Sequence, residues 1–148
     1  MSAWVKMRLN WLQPVAPHHG VNIIDNAEEA ATGHPQLYKI DAGFPSGEYL
    51  LIENRQQKGA DKRLPHGGLA IYHIDEKADW DDEGYPGQSG WPGNGKHYKI
   101  ALLQADGYYN LERGQNDGGA LDFFFADGIG SLMPSTGDPN DGPFPNTD

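Results

Sequence analysis

Apolar residues are concentrated in four short runs in the middle of the chain, and each run has the length and composition of a β-strand. The runs at 48–55 and 68–75 are apolar on both faces at their centres, which predicts interior strands. The run at 37–40 is shorter, and the run at 96–104 alternates between apolar and polar positions. From these four runs we expect a core that contains Tyr49, Leu51, Leu69, Ile71, Ile100 and Leu102.

The N-terminal residues follow a helical period instead. Residues 2–9 are predicted to form a short amphipathic helix, because Trp4, Met7 and Trp11 have the spacing of one helical face. Asn10 accepts the left-handed conformation that ends many helices. The simplest interpretation of the two tryptophans is that they anchor the core.

Turn-forming residues separate these elements. The chain has 20 Gly and 11 Pro in 148 residues, which favours long loops and argues against a helical bundle. We therefore predict a mainly β fold: an antiparallel sheet or sandwich with long Gly/Pro-rich loops and a short N-terminal helix. The length suits a single domain over 1–148, with 134–148 as an extended or flexible tail.

Charge and composition exclude several classes of function. The formal net charge of −10 repels phosphate backbones, so we expect no nucleic-acid partner. The chain has no cysteine, which excludes disulfides and thiolate chemistry. No apolar run is long enough to span a bilayer, and residues 1–6 lack the pattern of a signal peptide, so we expect no membrane association.

Catalytic motifs are missing from the sequence. None of the five Ser lies in a Gly-x-Ser-x-Gly turn, and no phosphate-binding glycine loop follows a strand. A zinc-protease helix requires two His at i and i+4, and none of the six His has such a partner. His73 and Asp75 are two apart on a predicted strand and so share a face. With Glu53 they are the candidate site of an alternative function, a small hydrolase.

Two acidic clusters suggest calcium, because hard oxygen ligands on Gly-rich loops are typical of calcium sites. Neither cluster matches the twelve-residue calcium loop that lies between two helices, and a solvated acidic loop remains the alternative. The candidate ligands are Asp79, Asp81, Asp82 and Glu83 in one loop, and Asn116, Asp117 and Asp122 in the other.

Several segments, taken in order, resemble the immune inhibitor A family of zinc metalloproteases. Residues 3–14 are similar to the Trp-x-Lys, Leu-Gly-Trp and Pro pattern that follows the zinc site in that family. Residues 48–56, Glu-Tyr-Leu-Leu-Ile-Glu-Asn-Arg-Gln, differ from the family's segment at one position. Residues 64–75 resemble its Leu-Pro-Gly-x-Gly-Leu-Leu-Ile-Trp-His-Ile-Asp, and residues 102–107 its Gln-Ala-Asp-Gly segment. The resemblance implies a mostly β subdomain of a secreted metalloprotease, packed beside the catalytic cleft.

The chain departs from the family at the zinc-binding motif. The His-Glu-x-x-His helix lies upstream of the Trp-x-Lys segment in the family, whereas here three residues precede Trp4. We therefore expect no zinc site and no proteolysis by this chain alone, and no catalytic residue is carried over. The expected function is binding or scaffolding. An apolar surface that involves Trp4, Met7 or Trp11 would then contact an upstream protease-like partner or a second copy in a homodimer.

Overall fold

Four antiparallel strands form the centre of the molecule, as predicted. The computed structural model describes residues 1–80, 84, 89, 98–130 and 132. Helix α1 spans Ala3–Arg8, and the strands are β1 Leu37–Ile40, β2 Glu48–Arg55, β3 Gly68–Asp75 and β4 Ile100–Leu102. Short 3₁₀ helices lie at Gly59–Asp61 and Ala120–Asp122. The strand order is β1-β2-β3-β4, and every neighbouring pair is antiparallel.

The register of the sheet defines two faces. Leu51 of β2 lies opposite Tyr72 of β3, and this face packs against α1 through Ala3. We call it the helix face. Leu50 lies opposite His73 on the other face, which is covered by the segment that contains Phe124. We call this second surface the loop face.

The predicted core is only partly correct. Tyr49, Leu51 and Ile71 are buried, but the other three predicted residues are half-buried. Two of those three, Ile100 and Leu102, lie on the shortest strand and pack against the edge of the helix-face core. The predicted strand 96–104 is observed only as Ile100–Leu102, and 96–97 lie outside the described residues.

The N-terminal helix has the predicted position, and Asn10 has the predicted left-handed conformation, with φ of 57°. Trp4 and Met7 pack against the helix-face core. Trp11 does not, because the helix ends at Arg8 and the chain turns before Trp11, which is 64% exposed. The expectation that both tryptophans anchor the core is therefore wrong for Trp11.

Within the residues that the structure describes, no helix has the length and apolarity needed to cross a bilayer. The predicted tail at 134–148 lies outside the described residues.

Candidate functional site

A buried charge network lies between α1 and the sheet. Lys6 is only 5% exposed, because α1 turns it towards the helix face. Its Nζ donates to Oε2 of Glu53 at 3.0 Å and to Oε1 of Glu28 at 2.6 Å. Glu53 is fully buried. A buried charge without partners would cost several kcal/mol, so this pairing is what permits Lys6 and Glu53 to lie in the core.

The network continues along β2 and β3. The hydroxyl of Tyr72 donates to Oε1 of Glu53 at 3.1 Å. Arg55 donates to both carboxylate oxygens of Asp61, which follows β2 in a 3₁₀ helix. Burial, and then the charge of Glu53, raises the pKa of Tyr72. Both oxygens of Glu53 are thus engaged in contacts that hold the fold together.

The residues of the alternative hydrolase site are divided between the two faces. His73 and Asp75 share the loop face, as their spacing predicts. Glu53 lies on the helix face, where its cross-strand partner is Ala70. The Nε2 atom of His73 lies 3.4 Å from Oε2 of Glu48. The sheet therefore separates Glu53 from His73 and Asp75, and the three do not form one site.

The remaining histidines are dispersed. His66 stacks on Phe125 with ring centroids 4.0 Å apart, and His97 lies outside the described residues. The others, His18, His19 and His34, are exposed. In the described ranges, no group of three or more His, Asp or Glu side chains is placed to hold a metal ion.

The first predicted calcium loop is largely beyond what the structure describes. Asp79 is exposed, whereas Asp81, Asp82 and Glu83 lie outside the described residues. The structure therefore places only one of this loop's four candidate ligands.

The second predicted calcium loop is described, and its three candidates do not form a group that could hold a metal ion. Asn116 accepts a hydrogen bond from the backbone of Gly118 at 3.1 Å. Asp117 is exposed. Asp122 is 2% exposed and accepts a hydrogen bond from the backbone N–H of Gly119 at 2.6 Å, where it caps a 3₁₀ helix. Burial raises the pKa of Asp122.

A second polar centre joins α1 to the ends of the strands. Glu76 follows β3, and its Oε1 accepts hydrogen bonds from Trp4 Nε1 at 2.9 Å and from the Tyr49 hydroxyl at 2.6 Å. Burial opposes ionisation of Glu76. The two hydrogen bonds, together with the nearby charges of Arg8 and Lys99, outweigh burial and hold the pKa of Glu76 below its usual range.

Exposed apolar side chains are concentrated in the N-terminal segment, which we define as residues 1–24. Of the nine large apolar side chains that are exposed in the described ranges, six belong to this segment. The segment contains no Asp or Glu, although the whole chain has 21. The six side chains are Met1, Leu9, Trp11, Val15, Val21 and Ile23.

Hydrogen bonds from the sheet hold this segment in place. Val15 forms a bridge with Tyr38, and the Tyr38 hydroxyl donates to the carbonyl of Ile23 at 2.9 Å. The side chain of Asn54 donates to the carbonyl of Ile24 at 3.2 Å. The segment has little regular structure after α1, yet its backbone is bonded to β1 and β2.

Sequence reasoning missed both polar centres. Their members are far apart in the chain: 47 positions separate Lys6 from Glu53, and 72 separate Trp4 from Glu76. The sequence did contain one signal of the buried charge network. Glu53 and Arg55 occupy alternate positions on a strand predicted to be interior, on the same face as Leu51, so each required a buried partner of opposite charge.

Comparison of the chain with models of known protein families, with curated proteins and with solved structures finds no match. The resemblance to the immune inhibitor A family therefore stays a hypothesis that rests on the sequence segments alone.

Proposed function

We propose that this chain is a non-catalytic binding module that contacts a protein partner through its N-terminal segment. In this proposal the module corresponds to the part of an immune inhibitor A-type domain that follows the zinc site. Its partner is the zinc-bearing half of such a domain.

The observation that carries the proposal is the concentration of exposed apolar side chains in residues 1–24. Val21 is 86% exposed and Trp11 is 64% exposed, in a segment whose backbone is bonded to the sheet. A preorganised apolar surface loses little conformational entropy on binding, and exposed tryptophans are frequent anchors of protein interfaces. The concentration of these side chains in one stretch of chain supports an interaction site there.

The charge distribution also supports protein binding through the N-terminal segment. Without acidic residues, the N-terminal segment is spared the repulsion that the rest of this acidic chain would exert on another acidic protein. The exposed guanidinium of Arg8 can instead pair with carboxylates at the rim of a partner's apolar surface.

The polar chemistry of the described residues also favours binding over catalysis. The carboxylates of Glu53 and Asp61 are engaged by Lys6, Tyr72 and Arg55. The candidate triad of the hydrolase alternative is divided between two faces of the sheet. Neither arrangement provides a general base next to a nucleophile.

The proposal is tested by isothermal titration of the chain with a separately produced zinc-bearing half of an immune inhibitor A-type domain. We expect saturable binding that the double variant Trp11→Ser, Val21→Ser weakens by about tenfold or more, since interface anchors typically contribute this much. The control is Leu121→Ser, an exposed apolar residue outside the segment, which should leave the affinity unchanged.

Sedimentation velocity of the chain alone tests whether a second copy of the chain, instead of the zinc-bearing half, binds the N-terminal segment. Concentration-dependent association that the double variant abolishes would assign the surface to a second copy instead of the zinc-bearing half. A monomer at every concentration that also fails to bind the zinc-bearing half would contradict the proposal.

A further inference from the structure

A compact aromatic cluster lies at the end of the sheet, around the carboxylate of Glu76. Trp4 of α1 and Tyr49 of β2 both donate hydrogen bonds to Oε1 of Glu76. Trp80 packs edge-on against Trp4, with ring centroids 6.4 Å apart and an interplanar angle of 79°. Trp80 is 57% exposed, so an indole surface remains accessible to a ligand beside a fixed carboxylate.

Three cationic side chains lie against these rings. The guanidinium carbon of Arg8 is 5.6 Å from the centroid of the Trp4 ring. Lys39 Nζ is 4.3 Å from the Tyr49 centroid, and Lys99 Nζ is 5.5 Å from the Trp80 centroid. Such cation–π contacts place N–H donors over parts of the aromatic surface.

The balance of charges indicates which ligand this surface suits. The three cations are opposed by Glu76 and by Asp41, whose carboxylate lies 3.2 Å from Lys39 Nζ. A cationic ligand would be repelled by the three cations that the protein already holds over these rings. An anionic ligand would meet the carboxylate of Glu76. The cluster combines an exposed apolar ring with hydrogen-bond donors and an acceptor, without a strong net field.

We propose that the Trp80–Glu76 cluster binds a neutral saccharide. The weakly positive C–H face of a pyranose ring packs on the part of the Trp80 indole that Lys99 and Trp4 leave exposed. The hydroxyls of the sugar donate to Glu76 and accept from Arg8, since a carboxylate is an acceptor and a guanidinium a donor. Apolar contact combined with a few directional polar groups is the usual composition of a small-molecule site.

This site borders the protein-docking surface proposed above, because Arg8 and Trp4 belong to the N-terminal segment. The two proposals can still be tested separately, since Trp80 and Glu76 lie outside that segment and the carbohydrate ligand is of a different class from the proposed protein partner. Variants of Trp11 and Val21 test protein docking, whereas variants of Trp80 and Glu76 test saccharide binding, so either proposal can fail without the other.

The test is isothermal titration of the whole chain with a panel of β-linked hexasaccharides of glucose, N-acetylglucosamine, xylose and mannose. We expect saturable binding of at least one member. Trp80→Ala should weaken that binding by about tenfold or more, the size expected for a lost aromatic contact, and Trp80→Phe should retain most of it. Glu76→Gln should weaken it severalfold, because one strong acceptor is replaced by a weaker one.

The matched control is Tyr108→Ala, which removes an aromatic ring that is 64% exposed and lies outside the cluster. It should bind the same hexasaccharide with unchanged affinity, and circular dichroism should show that every variant is folded. Absence of saturable binding to all four hexasaccharides, or equal binding by the wild type and Trp80→Ala, would overturn the proposal.

Discussion

Lys6 of helix α1 and Glu53 of strand β2 form an ion pair, with Nζ and Oε2 3.0 Å apart, in a part of the core where the Glu53 side chain is fully buried. The pair explains how a helix of six residues, too short to be stable alone, is held on the sheet. It joins the segment that precedes β1 to the centre of the molecule. The position of the N-terminal segment therefore depends on it.

Substitution Lys6→Met should destabilise the fold by about 3 kcal/mol, because it removes the cation beside Oε2 of the buried Glu53 and leaves only Arg55, whose Nε is 3.7 Å from Oε1. Urea unfolding followed by circular dichroism measures the loss. The matched control is Lys58→Met, because Lys58 pairs with Glu29 at 3.2 Å in a contact where both side chains are about half exposed. That substitution should cost less than about 1 kcal/mol.

A double variant tests whether the charge of Glu53 causes the loss of stability in Lys6→Met. If the unpaired charge is responsible, Lys6→Met combined with Glu53→Leu should be more stable than Lys6→Met alone. Equal losses for Lys6→Met and Lys58→Met would contradict the importance of the buried pair.

Gly68 should be intolerant of a side chain. A Cβ atom at this position would lie 2.7 Å from the carbonyl oxygen of Phe124, which accepts a hydrogen bond from Leu69. The Phe124 carbonyl is a backbone atom and cannot rotate away as a side chain could. Gly68→Ala must therefore displace the segment that covers the loop face. We expect a loss of roughly 1–3 kcal/mol.

Gly130→Ala is the control for this position, since a Cβ there would lie at an ordinary van der Waals distance, 3.5 Å, from the carbonyl oxygen of Phe125. Thermal unfolding of both variants measures the difference. Equal midpoints for Gly68→Ala and the wild type would show that the covering segment adjusts freely.

Glu112 should make stability depend on pH. Burial, and secondarily the nearby charge of Asp122, raises the pKa of Glu112 above its ordinary value of 4.5, despite a hydrogen bond from Gln104. A carboxyl whose pKa is raised on folding favours the folded state when protonated, and this contribution is lost as the pH rises through the folded-state pKa. Glu112→Gln keeps the acceptor for Gln104 but removes the charge.

We therefore expect Glu112→Gln to be more stable than the wild type at pH 7, with a difference that shrinks as the pH falls towards 4. Thermal midpoints measured across this range provide the test. A difference that grows on acidification would have the wrong sign and would contradict the buried-charge explanation.

Periodicity and composition were sufficient to predict the central sheet. The bounds of β1, β2 and β3 match the predicted runs, and the apolar residues at both faces of β2 and β3 favour the interior positions that these two strands have in the sheet. The strand at 96–104 was predicted too long. Gln104 leaves the ladder because its side chain is fully buried and bonds to the backbone of Asn110 and to Glu112.

The candidate sites were harder to predict, because tertiary contacts decide them. Glu53, His73 and Asp75 were grouped from residue type, but strand register assigns Glu53 to the opposite face. The role of Lys6 required knowledge that α1 packs on the helix face, which no local pattern contains. Conversely, Trp11 continues the helical spacing of Trp4 and Met7, but the helix ends before it.

The central claim, that this chain binds and does not itself cleave proteins through zinc, is tested most directly by incubating the purified 148-residue chain with casein and a slight excess of zinc. Zinc proteolysis requires three protein ligands and a carboxylate that accepts a proton from the bound water. We expect no cleavage that a chelator removes and zinc restores. Cleavage with that behaviour, lost in His73→Ala, would contradict it and would support the hydrolase alternative.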